Sequence, residues 1–308
     1  METLETSPAC THVRIVRFTG TSSVAVQDAL AAEEPLEIRI VFGGSNARTT
    51  RSISVTMRTP GNDAELAVGF LLTEGIVRDA NHIDRIACGA ANSLQSEGRE
   101  FAGASKSAFP LRERDAENVV TVELAPDVEV NLPALERNFY TTSSCGVCGK
   151  ASLLALGAVC PPRAENNFSI SAGILYQLPE RLGSVQGTFQ RTGGLHAAAL
   201  FDAGGRLDAM REDVGRHNAV DKLLGAALLA DRIPLRDRLL LLSGRASYEL
   251  LQKAVMGGIP MVASVGAPSS LAVEVARRFD ITLIGFLKHD RCNAYHGADR
   301  IRLTPNLP

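Results

Sequence analysis

No stretch of this sequence is long and apolar enough to cross a membrane; its longest apolar runs fall far short of the ~20 residues a spanning helix needs. The first residues, Met1 to Pro8, are acidic and carry no apolar run, so no secretory leader is read there. Charge of one sign is missing too. Lys+Arg number 32 and Asp+Glu 34, scattered along the chain for a net charge of −2. That argues against a general nucleic-acid footprint and leaves room for a local basic pocket. Six cysteines in 308 residues are too few for a disulfide scaffold. What remains is the expectation of a cytoplasmic globular protein, with an ordinary 45% apolar and 21% charged residues.

Two of the six cysteines stand out. Cys145 and Cys148 are three residues apart, flanked by Ser143, Ser144, Gly146 and Gly149. In a reducing compartment such a pair reads as catalytic or metal-binding. The isolated Cys10, Cys88, Cys160 and Cys292 read as ordinary thiols. Structural zinc needs about four ligands, and no second Cys-x-x-Cys or His-x-x-x-His exists to complete a set. The zinc deaminase signature also fails. His196, His217, His289 and His296 are not followed two positions on by Glu, and Ser144 stands where Pro is needed. No metal site is therefore expected. A thioredoxin-like dithiol needs an apolar strand before the pair; Thr141 to Ser144 is polar, and no Trp is present. Persulfide carriage needs only one accessible thiolate, with Lys150 to favour it and a second thiol to assist release. An inert surface pair is the remaining alternative.

Length allows two domains. Residues 1–30 read as a loose arm with an early strand at 11–18. Residues 31–150 read as a small α+β domain. It holds a hairpin over 37–42 and 52–57, with Ile53, Val55 and Met57 on one face. A helix N-capped by Asp63 runs to about Glu74, and a strand covers 118–124. Residues 92–117 are polar and read as an insertion, and a boundary is expected near 149–170. Residues 151–308 are more regular. A hairpin over 196–210 precedes a helix over 214–229 and then a β-α-β-α-β run over 238–287, predicting adjacent parallel strands.

Ligands of open α/β sheets bind outside the carboxyl ends of the strands. Here those ends are Ser243–Arg245, Ser264–Ser270 and Lys288–Arg291, expected on one edge, and the middle one runs into a helix N-terminus that suits an anion. Arg211, Asp213, Arg216 and His217 precede the amphipathic helix. Either Asp213 or Asn218 caps that helix with the charges in solvent, or the four line the same crevice.

Six segments resemble the FdhD/NarQ family, accessory sulfurtransferases of formate dehydrogenase: Arg58–Phe70, Ser144–Gly149, Thr192–His196, Glu212–Lys222, Ser243–Ser247 and Ser264–Ser269. The resemblance runs from about Glu34 to His296. It implies a cytidine-deaminase-like three-layer α/β domain with a parallel or mixed sheet, plus a smaller N-terminal α+β domain, in a homodimer. It implies sulfur taken as a persulfide from a cysteine desulfurase and passed to the molybdenum or tungsten of a bis-molybdopterin guanine dinucleotide cofactor for formate dehydrogenase. Cys145 would form the persulfide, with Cys148 as helper. The cofactor-binding segment falls on Phe286, Leu287, Lys288, His289, Asp290 and Arg291. The alternative is a cofactor-binding chaperone whose thiols are dispensable.

Overall fold

In the computed structural model the described residues are 8–89, 118–126, 128–130 and 165–303. Strands β1 (Cys10–Thr19) and β2 (Ser22–Ala31) form an antiparallel hairpin where a loose arm with one strand was expected. Next come β3 (Glu34–Phe42), β4 (Thr49–Arg58), α1 (Asp63–Thr73), β5 (Ile83–Cys88) and β6 (Val119–Leu124). They make a mixed four-stranded sheet in the order β4-β3-β6-β5. The expected β3–β4 hairpin is present, but Ile53, Val55 and Met57 do not share a face. The pairing register shifts between Ile38 and Arg39, a bulge that re-aims the strand. Ile53 is buried while Val55 and Met57 are exposed, and Arg58 turns inward instead. The cap of α1 also differs: Asn62, in the left-handed region at φ 60°, occupies it, and Asp63 is the first helical residue.

The second half contains β7 (Ile170–Ser171), α2 (Ala172–Leu175), α3 (Leu178–Val185), α4 (Gly187–Thr192), β8 (His196–Phe201), β9 (Leu207–Asp213) and α5 (Arg216–Leu229). It continues through β10 (Leu239–Leu242), α6 (Tyr248–Met256), β11 (Met261–Ser264), α7 (Ser270–Arg278), β12 (Thr282–Gly285), β13 (Asn293–His296) and β14 (Ile301–Arg302). Its six-stranded sheet has the order β13-β12-β11-β10-β8-β9. The β10–β11 and β11–β12 pairs are parallel, as the β-α-β-α-β pattern predicts, and the outer pairs are antiparallel.

Side chains alternate across a strand, so Leu240 and Leu242 point to one face and Leu239 and Leu241 to the other. The first face packs under α5, α6 and α7, the second under α2 and α3. Burial on both faces explains why β10 to β12 read as continuous apolar runs. The first-face core does not stop at the second half. It continues through α5 to α1 and on to Leu36, Ile38, Val120 and Val122 of the small sheet.

The α1–α5 contact is unusually close. A Cβ on Gly69 would lie 1.8 Å from the Asp221 carbonyl oxygen, and one on Gly225 1.8 Å from that of Glu65. Only glycine lets the two backbones approach so far. Beside this crossing the Lys253 ammonium bonds both Asp221 oxygens at 2.8 Å, and Thr73 donates to Asp221 at 2.9 Å. Burial raises the Asp221 pKa, while Lys253 pulls it the other way. Gly69→Ala should therefore lower stability by about 3 kcal/mol, as overpacking of a rigid contact does. Urea denaturation checks this; an unchanged midpoint would show that the helices can separate freely.

Candidate functional site

Strand β8 runs against β10, so the start of β8 and the end of β9 share an edge with the carboxyl ends of β10, β11 and β12. The three expected loops do meet there. Gly266 N–H donates to the Gly244 carbonyl at 2.9 Å and Phe286 N–H to that of Gly266 at 3.0 Å. Leu287 N–H reaches Ser264 O at 3.0 Å, and Ala246 bridges to Pro268. Glycine is required at this seam: a Cβ on Gly266 would sit 3.0 Å from Gly244 O, and one on Gly285 2.6 Å from Pro268 Cδ. The α7 end offers fewer amides to an anion than expected, because Ser269 caps it by accepting from Ala272 N–H and the Ser269 N–H goes to Ala246 O.

Within the expected binding segment, Leu287 is buried while Phe286, Lys288, His289, Asp290 and Arg291 are exposed. Phe286 has φ 52°, a left-handed conformation rare for a bulky residue and typical of functional turns. It holds the ring 42% exposed at the rim. The Lys288 N–H closes the turn onto Arg291 O at 2.9 Å. Among the described residues, Arg216, Arg245, Lys288 and Arg291 have no ion-pair partner, and these four cations share the edge with two exposed carboxylates, Asp290 and Glu249, the latter feeling the charge of Arg216. The donor set suits a polyanion.

The four polar residues before α5 divide. Arg211 turns away from the crevice and grips Glu65 of α1 through two bonds of 2.6 and 2.7 Å. Asp213 is fully buried and pairs with buried Lys222 at 2.7 Å. The other Asp213 oxygen accepts from Gly215 N–H at 2.8 Å and Asn218 Nδ2 at 3.1 Å, so neither Asp213 nor Asn218 is a conventional cap. Arg216 and His217 remain at the edge. Burial, with Lys253 and Arg216 nearby, depresses the His217 pKa to about 4. Burial and Arg216 also lower that of His196. His217 is thus a neutral imidazole at neutral pH.

The turn that carries these residues is held by one the sequence reading left without a role. Thr59 donates its N–H to Asp213 Oδ2 at 3.1 Å, accepts Val214 N–H on its hydroxyl at 3.1 Å and accepts Lys222 Nζ on its carbonyl at 2.8 Å. Asn218 reaches back to Met57 O at 2.8 Å. Arg58 fixes the near side with two 2.9 Å bonds to Asp63 and one of 2.7 Å to Asn118. Segments Arg58–Phe70 and Glu212–Lys222 are therefore two halves of one buried polar joint.

Cys145 and Cys148 lie outside the described residues, as do residues 92–117 and most of the expected boundary near 149–170. Burial raises the thiol pKa of Cys88 and Cys292, which fits ordinary thiols rather than nucleophiles. Among the described residues no cluster of three or more His, Cys, Asp or Glu could hold a metal ion, and no helix is long and apolar enough to cross a membrane.

The FdhD/NarQ family model matches residues 31–302, and the chain belongs to that family. A sulfur carrier protein FdhD from Mycolicibacterium paratuberculosis is 48% identical, over 94% of this chain and 97% of the relative. One from Sulfurisphaera tokodaii is 37% identical over 94% and 98%. The crystal structure of a protein described as a formate dehydrogenase accessory protein, from Desulfotalea psychrophila, shares the fold with TM-score 0.67 at 22% identity. It covers 96% of this chain and 100% of its own.

Asp213→Asn should cost about 3–5 kcal/mol, because it leaves the Lys222 ammonium buried without its counter-charge. A urea denaturation midpoint close to wild type would show that the joint tolerates an unpaired charge.

Proposed function

We propose that this member of the FdhD/NarQ family is a sulfur carrier for the maturation of formate dehydrogenase. The observation that carries the reading is its chain-long similarity to sulfur carrier proteins, together with the Cys145–Cys148 pair. In the finer reading the sulfur donor is a cysteine desulfurase. The acceptor is the metal of a bis-molybdopterin guanine dinucleotide cofactor, bound as cargo, and the protein works in the cytoplasm as a homodimer.

The Cys145 thiolate attacks the outer sulfur of the donor's persulfide. A new sulfur–sulfur bond forms on Cys145 and the donor leaves as a thiolate. Attack by the Cys148 thiolate on the inner sulfur of Cys145 then expels hydrosulfide toward the metal. The pair is left as a disulfide, which a thiol reductant reopens. Both steps conserve electrons without a further oxidant.

The crevice supports the cargo half of this reading. Arg245, Lys288 and Arg291, which have no ion-pair partner among the described residues, suit diphosphates, and Phe286 presents an exposed ring on which a guanine can stack. Lys288 and Arg291 sit on a turn closed by its own hydrogen bond, so their backbone is in place before the ligand arrives.

Incubation with a cysteine desulfurase and cysteine should add about 32 Da, one sulfur atom, to the intact protein. Cys145→Ala should abolish the gain. No gain on the wild type, or an unchanged gain on the variant, would overturn the reading. Restoration of formate dehydrogenase activity by a Cys145→Ala, Cys148→Ala double variant would instead establish a chaperone with dispensable thiols.

A further inference from the structure

We propose that the β1–β2 hairpin is an arm that clasps a second copy of this chain, its apolar side chains lying on the open face of the partner's small sheet. This rests on the reading of the protein as a homodimer and names the two surfaces that would make the dimer.

The hairpin has no core of its own. None of residues 10–31 is buried, whereas β3, which follows at once, buries Leu36, Ile38 and Ile40. The two strands form a separate sheet, so each has one edge with no neighbouring strand. Such a hairpin is marginally stable in water and needs a further layer against it. Within its own chain its main contact is between β2 and α4.

Its side chains are those of a covered ribbon. Opposed residues of an antiparallel pair share a face. Ile15 opposes Val26, Arg17 opposes Val24, Val13 opposes Asp28 and Thr11 opposes Leu30. One face therefore carries Val13, Ile15, Val24, Val26 and Leu30. The two charges on it, Arg17 and Asp28, pair with each other at 3.5 Å. The other face carries Val16 and Phe18 toward the turn, with Phe18 77% exposed.

A matching surface lies on the small sheet. One face of that sheet packs under α1. On the other, Val55 opposes Glu37 and Met57 opposes Pro35, and Pro35, Val55 and Met57 are exposed, Val55 by 67%. Arg39 donates to the Glu37 carboxylate at 2.6 Å, so an apolar ribbon can cover this face without leaving that charge unpaired.

Area favours a second copy over a different protein. Ten residues at ~3.3 Å each and two strands ~4.8 Å apart give a ribbon face of about 330 Å². One arm laid on any partner buries about 660 Å² over the two surfaces, below the ~1,200 Å² at which stable interfaces begin. A two-fold dimer makes every contact twice and reaches about 1,300 Å².

Sedimentation velocity on the full chain tests the arm. Wild type should sediment at twice the chain mass. Val24→Asp in the arm and Val55→Asp in the seat should each weaken dimerisation about tenfold or more, because each buries a carboxylate without a partner. Both side chains are exposed in the single chain, so far-ultraviolet circular dichroism should match wild type. Leu303→Asp, at an exposed leucine that belongs to neither surface, should leave the dimer intact. Wild-type dimerisation in either Val24→Asp or Val55→Asp, or an equal loss in Leu303→Asp, would show that other surfaces join the copies; the arm is then wrong and the homodimer reading stands. A monomeric wild type would overturn both.

Discussion

The buried ion pair between Asp213 and Lys222, closed around Thr59, is the constraint on which the functional edge depends. Neither charge has water to fall back on, so each must keep its partner. Thr59 directly follows β4, at the end of the β3–β4 hairpin, and Asp213 ends β9, 154 residues later. Their union forces the small sheet, α1 and the start of α5 into one arrangement. The glycine crossing of α1 on α5 and the Arg211–Glu65 bridge lie along the same contact and leave it little freedom. Arg216 and His217 emerge from this joint.

The opposite end of the edge is built differently. There the strand ends are stitched through backbone hydrogen bonds among Gly244, Gly266 and Phe286, and glycines at 266 and 285 allow the loops to touch. One end is fixed by buried charge, the other by close-packed backbone. Among the described residues, Arg216, Arg245, Lys288 and Arg291 on this edge have no ion-pair partner, in contrast to the paired buried charges, and that contrast is what favours an anionic ligand under the proposed function.

Much of this was legible in the sequence. The apolar runs of β10, β11 and β12, separated by helical stretches, gave their parallel order directly, and topology then placed Ser243, Ser264 and Lys288 on one edge. Short elements were not legible. Helices α2 to α4 have 4, 8 and 6 residues, too few turns for a period to show. The bulge in the β3–β4 pair inverted the predicted face of Val55 and Met57, because a one-residue insertion leaves no mark in an alternating pattern. The polar joint was hidden for another reason. Lys222 sits mid-helix, and only its burial, a tertiary fact, reveals that it faces Asp213 and not solvent. For Arg211 the sequence left solvent and the crevice as equal alternatives, and it takes neither, because Glu65, 146 residues away, holds it.

Under the proposed function, sulfur held on the cysteine pair is delivered to a ligand seated in this crevice. Labelled sulfur tests it most directly. The protein is loaded with radioactive sulfur through a desulfurase, and transfer of label to added molybdenum cofactor is followed with time. A Lys288→Ala, Arg291→Ala variant should load as fully as the wild type but pass little label on. Transfer by that variant at the wild-type rate would contradict the account.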